Sequence, residues 1–250
     1  MKQNPEAQST EREPRISVNK LADYLATPST TKRRSILREQ KFPKESEFKT
    51  TYYNEAKQPI KKCFTTSEFE LSAVNKMINK LRNEIIDLIA NPPETADQQG
   101  KHKIKIQRKE SCLEALEIFL DNTTILDQYK EHKFTNNIYT NWIEINGVKI
   151  SVEPDIIITG HKRKKPYTGA IKLYFSKSNK ITKDMGKTIS SMLYEHIKEF
   201  SNDADNKHCF VYDVINTTIY SASTSYTTKI KEIQAACEDI SAIWPTIQRK

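Results

Sequence analysis

Two charges interrupt apolar sequence where a carboxylate and an ammonium could act together. One lies in Val152-Glu-Pro-Asp-Ile-Ile-Ile158, the other in Gly169-Ala-Ile-Lys-Leu-Tyr-Phe175. Both runs are short, β-branched or aromatic and bounded by turn formers, so each is expected to be a buried strand. Side chains alternate faces along a strand. Glu153 and Asp155 are therefore expected on one face, and Ala170, Lys172 and Tyr174 on one face of the second strand. A lone carboxylate or ammonium in a sheet is costly unless it is paired or binds a metal. Two carboxylates and a lysine can supply metal-dependent phosphodiester cleavage. Asp155 and Glu153 would hold magnesium or manganese, and Lys172 would stabilise the phosphate or activate water. The plainer alternative is a buried Asp155–Lys172 ion pair without chemistry.

Positioning these groups requires a layered fold. A helix of about four turns is expected over 107–121, burying Leu113, Leu116 and Leu120 and carrying Glu110, Glu114 and Glu117. Residues 138–145 alternate like a strand, Asn146-Gly147 is a hairpin signal, and 148–152 returns into the Asp155 stretch. After the Lys172 strand, Ile181, Met185, Ile189, Leu193 and Ile197 mark a long amphipathic helix. Strands over 209–214 and 218–220 and a closing helix follow.

The N-terminal half reads as helices. Residues 1–15 are expected to be a disordered tail. Ser17 is expected to cap a helix with Val18, Leu21 and Leu25, and Thr31 to cap a basic helix over 32–41. Phe48, Tyr52, Ala56, Ile60 and Phe64 suggest a further helix containing Pro59, and Ser67 opens a capping box before a helix over Val74–Leu88. Residues 91–106 read as a connection. The expected division is a tail at 1–15, a helical region at 16–106 and an α/β core at 107–250.

The order helix, three strands, helix, strand, with Glu153-Pro154-Asp155 and Lys172, resembles the PD-(D/E)xK nuclease superfamily. The resemblance covers about residues 107–214. It implies an α/β fold with a restriction-endonuclease-like αβββαβ core and mixed sheet. It assigns Asp155 and Lys172 to catalysis, with Glu114 or Glu117 as a helix acid. It implies a metal-dependent nuclease, using magnesium or manganese, in bacterial or phage defence. One position departs: the acid two residues before the lysine is Ala170. Either a migrated carboxylate such as Glu153 or Glu195 completes the site, or the chain is an inactive nuclease-derived subunit of a larger complex.

Forty Lys and Arg against 32 Asp and Glu give a net charge of +8, which favours a polyanionic partner. Between the two key strands lies His161-Lys162-Arg163-Lys164-Lys165, expected at a hairpin tip beside the site and able to grip a nucleic-acid backbone. DNA is the expected partner ahead of RNA, with a protein partner possible. The four cysteines are far apart, and no phosphate-loop, dinucleotide or nucleophile-elbow motif is present. No apolar run spans a bilayer and no secretory leader is visible, so a cytoplasmic protein without membrane contact is expected.

Overall fold

The computed structural model describes residues 13–43, 52–66, 69–129, 132–162, 164–222 and 226–249, with the backbone alone at Gln128 and Lys162. Arg163, Phe48, Ser67 and the first twelve residues of the expected tail lie outside the described residues. In chain order come β1 (Arg15–Ser17), α1 (Val18–Ala26), α2 (Thr30–Lys41), α3 (Asn54–Thr65), α4 (Ser72–Ala90) and α5 (Ala96–Asp121). A 3-10 turn (Thr123–Tyr129) leads to β2 (Lys133–Asn136), β3 (Trp142–Ile145), β4 (Val148–Ser151), β5 (Ile156–Lys162) and β6 (Lys165–Tyr174). Then follow α6 (Lys183–Lys198), β7 (Ala204–Asp213), β8 (Thr218–Ser221) and α7 (Tyr226–Ile243).

The protein is a mixed α/β structure with two mixed sheets, of order β1-β4-β3 and β2-β5-β6-β7-β8. In the larger sheet β2, β5 and β6 are antiparallel neighbours, while β6 and β7 run parallel and are joined through α6. Both of its faces are covered, which is why β5 and β6 read as nearly continuous apolar runs. Ile156, Ile158, Ile171, Leu173, Phe210 and Tyr212 pack against Ile60 and Phe64 of α3, Val74 and Leu81 of α4, and Leu116 and Phe119 of α5. The alternate residues Ile157, Ala170, Cys209 and Val211 face Leu21 of α1, Ile189 and Leu193 of α6, Ile233 and Ile240 of α7, and Ile143 and Ile150 of the smaller sheet. Burying a side chain of this size stabilises by about 2 kcal/mol.

Local signals explain many boundaries. The Ser17 hydroxyl accepts from Lys20 N–H and caps α1. The cap of α2 is Ser29 rather than Thr31. Asn146 and Gly147 both take positive φ, 47° and 74°, as a tight β3–β4 turn requires.

Three expectations are corrected. The β3–β4 hairpin joins the smaller sheet, whereas β5 pairs with the unanticipated β2. The chain changes sheets between Val152 and Asp155, where Glu153 adopts φ 47° and Pro154 has no N–H for a ladder. Residues 96–106, expected as a connection, form the first turns of α5, so the break placed at 106 falls inside a helix. Finally, Arg15 lies in a strand rather than a tail.

One buried group makes acid stability testable. His196 of α6 is 0% exposed, packs edge-on to Phe200 and makes no well-formed hydrogen bond at either ring nitrogen. Burial pushes its pKa below the ordinary 6.5, with the Thr140 backbone acting the other way. As pH falls below 6.5, the unfolded chain takes up a proton that the folded chain refuses, so stability falls until the lowered folded value is passed. Wild type is therefore expected to lose stability more steeply than His196→Leu between about pH 6.5 and pH 5 in urea titrations. Parallel profiles would show that His196 does not titrate against the fold.

Candidate functional site

The register of the β5–β6 pair builds the site. The ladder ends at Ile156 opposite Ile171, and Asp155, expected within the strand, lies in the bend just before it, its N–H donating to the Ile171 carbonyl at 2.9 Å. Asp155 and Lys172 are thereby brought to neighbouring positions, both buried. They do not pair with each other. Lys172 Nζ donates to the backbone carbonyls of Val152 and Glu153 at 2.8 and 3.0 Å, fastening the bend between the sheets. Asp155 Oδ2 accepts the Leu173 N–H at 2.8 Å, and Asp155 Oδ1 lies 2.5 Å from Lys57 Nζ of α3. The Asp155 side chain is 4% exposed and that of Lys57 26%. Burial pushes the Lys172 pKa down. Asp155 pulls it up, Lys57 pushes it down again, and Glu153 and Lys61 act more weakly in opposite directions.

The other expected acids are engaged elsewhere. Glu153 is exposed, and its carboxylate accepts the Ser151 hydroxyl at 2.6 Å. Glu114 is paired with Lys177, and Glu117 with Arg82 of α4 at 2.7 Å. Glu110 is exposed, and Glu195 binds Lys198 at 2.8 Å. No group of three or more His, Cys, Asp or Glu residues suited to a metal occurs among the described residues. Each Asp155 oxygen has a protein partner, and with no group of three or more such ligands among the described residues Asp155 alone offers too few oxygens for magnesium or manganese. Ala170 is wholly buried beside Ile157 and Cys209, and a carboxylate there would enter apolar core rather than a metal site.

The basic hairpin lies at the other end of the strands. Lys162 pairs with Lys165 across the turn, seven residues along from Asp155. At ~3.3 Å per residue the tip is about 20 Å from the carboxylate. It does not flank the site, contrary to the sequence-based expectation. His161, Lys164 and Lys165 are exposed, and Lys164 turns the hairpin with φ 66°. The basic helix α2 is used largely for docking. Arg33 Nε donates to the Tyr24 and Thr27 carbonyls, Arg38 Nε to Gln248, and the buried Lys41 to Trp244.

Lys57 and Lys61 were missed in the sequence. Their spacing of four beside the Ala56/Ile60/Phe64 stripe is a signal that they share a flank of α3, but it does not reveal what they face. No helix among the described residues is long and apolar enough to cross a membrane. No family model matches the chain, and no curated protein matches it.

Proposed function

We propose that the chain is a nucleic-acid-binding protein on a restriction-endonuclease-like core whose catalytic centre has become an internal charge cluster. It would act as a non-cutting subunit in a larger assembly, in a bacterial or phage-defence setting. The order α5, β2, β5, β6, α6, β7, antiparallel through β6 and then parallel, supports the fold reading. One observation carries the non-cutting part: both Asp155 oxygens are taken, by Lys57 and by the Leu173 amide. The Lys57 ammonium supplies the cation that a metal would otherwise provide. The net charge of +8 supports a polyanionic partner, with DNA preferred by resemblance.

Wild type, Asp155→Asn and Lys57→Met are to be tested with magnesium and manganese on single- and double-stranded DNA and RNA. No cutting and no saturable manganese binding are expected for wild type, while nucleic-acid binding survives Asp155→Asn. Cutting by wild type that Asp155→Asn abolishes would overturn the non-catalytic reading. Absence of binding to every nucleic acid at low salt would shift the partner to protein.

A further inference from the structure

The distal half of the α4–α5 hairpin stands outside the core. The buried apolar cluster that these helices join takes residues from α4 only as far as Leu81, and from α5 only from Cys112 onward. Beyond those points the two helices hold each other. Lys109 Nζ bonds Glu84 at 2.5 Å, and His102 Nε2 meets the Leu88 carbonyl at 2.8 Å. A pair of helices buries only the stripe that each turns to the other. Here apolar surface is left over. Three of the seven exposed large apolar side chains among the described residues lie on this arm: Ile86, Ile89 and Ile104. Ile86 and Ile89 are 64% and 62% exposed.

Arg82, Ile86 and Ile89 follow at spacings of four and three, so they form one stripe of α4. Arg82 reaches Glu117 of α5 at 2.7 Å, which fixes the flank of the hairpin along which that stripe runs. From Glu117 the same flank of α5 continues at heptad spacing through Leu113, Glu110, Ile106 and Lys103. A cleft of about 390 Å³ opens here, lined by Pro92, Pro93, Lys103, Ile106 and Glu110. The His102–Leu88 bond sets Ile89 level with this stretch. The charges on the flank are ordered. Lys103 and Glu110 lie on either side of Ile106 and are both exposed. Neither has a hydrogen bond or an ion pair among the described residues, whereas Arg82, Glu84, Lys101 and Lys109 close by are all paired.

We propose that this flank pairs with the same flank of a second copy of the chain, the two arms closing into an antiparallel four-helix interface. The charge order is what selects a second copy. About a two-fold axis at Ile106, α5 lies antiparallel to its counterpart, and Lys103 of each copy faces Glu110 of the other. Ile106 meets its counterpart between these two ion pairs, and Ile86 and Ile89 extend the apolar contact from α4. A stripe with one sign at both ends would repel its own copy, whereas this one is self-complementary. Dimerisation through the arm goes beyond the nucleic-acid reading and stands without it.

Sedimentation velocity of the full chain between about 1 and 200 μM tests this. Wild type is expected to form a reversible dimer with a dissociation constant in the micromolar range. Lys103→Glu and Glu110→Lys each set like charges face to face at two places, and each is expected to weaken dimerisation at least about tenfold. The double variant Lys103→Glu/Glu110→Lys should recover it. An equimolar mixture of the two single variants should also dimerise, because each then meets the opposite sign. Ile86→Ser/Ile89→Ser should weaken the dimer by a similar factor, while Ile104→Ser, about 200° round α5 from Ile106, should not. All of these side chains are exposed, and circular dichroism confirms that each variant keeps its helices. A wild type that is still monomeric at about 200 μM overturns the second copy as the occupant. A dimer that keeps its strength in both charge variants lies on another surface and overturns the proposal as well. Single variants that weaken the dimer without recovery in the double variant or the mixture overturn the antiparallel pairing.

Discussion

Lys57→Met is expected to destabilise the folded protein by about 3 kcal/mol, a large share of the stability of a typical domain. The reason is the carboxylate left behind. Asp155 is 4% exposed, and Lys57 is the charge that compensates it. Removing one member of a buried pair strands the other. Asp155→Asn should restore part of the loss in the double variant, since an amide oxygen can still accept the Leu173 N–H without requiring a counter-charge. The exposed Glu195–Lys198 pair is the control, and Lys198→Met should cost under about 1 kcal/mol. Urea unfolding of wild type, Lys57→Met, Asp155→Asn and the double variant completes a double-mutant cycle, with Lys198→Met as the fifth protein. A cost for Lys57→Met no greater than for Lys198→Met would mean that Asp155 is hydrated, and that a metal could reach it.

Gly169→Ala is expected to cost about 3 kcal/mol, the upper end for overpacking. The added Cβ would sit 2.2 Å from a backbone oxygen of His208, and backbone cannot step aside as a side-chain tip can. Gly100→Ala provides the contrast. Gly100 lies in α5 with nothing within 4 Å of an added Cβ, so alanine there should stabilise by about 1 kcal/mol. Thermal unfolding of both variants checks the pair. Thr168 pairs with Ala204 but Ala170 with Cys209, so a near-neutral Gly169→Ala would mean that the unpaired residues 205–208 of β7 are loosely held.

Parts of this architecture were legible because short-range chemistry decided them. Ser17 capped its helix, Asn146-Gly147 made its turn, and the β-branched runs on either side of the basic hairpin became β5 and β6. The adjacency of Asp155 and Lys172 followed from that hairpin. What failed was set by distant partners. β2 is four residues, Lys-Phe-Thr-Asn, too short and polar to announce a strand. The first turns of α5 are mostly exposed and lack a full apolar face, so they resembled a connection. The pairing of Asp155 with Lys57 depends on how α3 crosses the sheet, and no local periodicity encodes that.

β1 pairs in parallel with β4, and Lys149 reaches Glu13 across 136 residues of sequence. During synthesis the three residues of β1 leave the ribosome long before their partner strand exists. Until then Ile16 and Leu21 have none of the C-terminal half to pack on, and β4 in turn emerges needing a neighbour on that edge. Closure of the smaller sheet is therefore a long-loop event, slow by topology and exposed to strand exchange between nascent chains. The three residues of β1 would thus act as a latch that reaches back across the whole helical region.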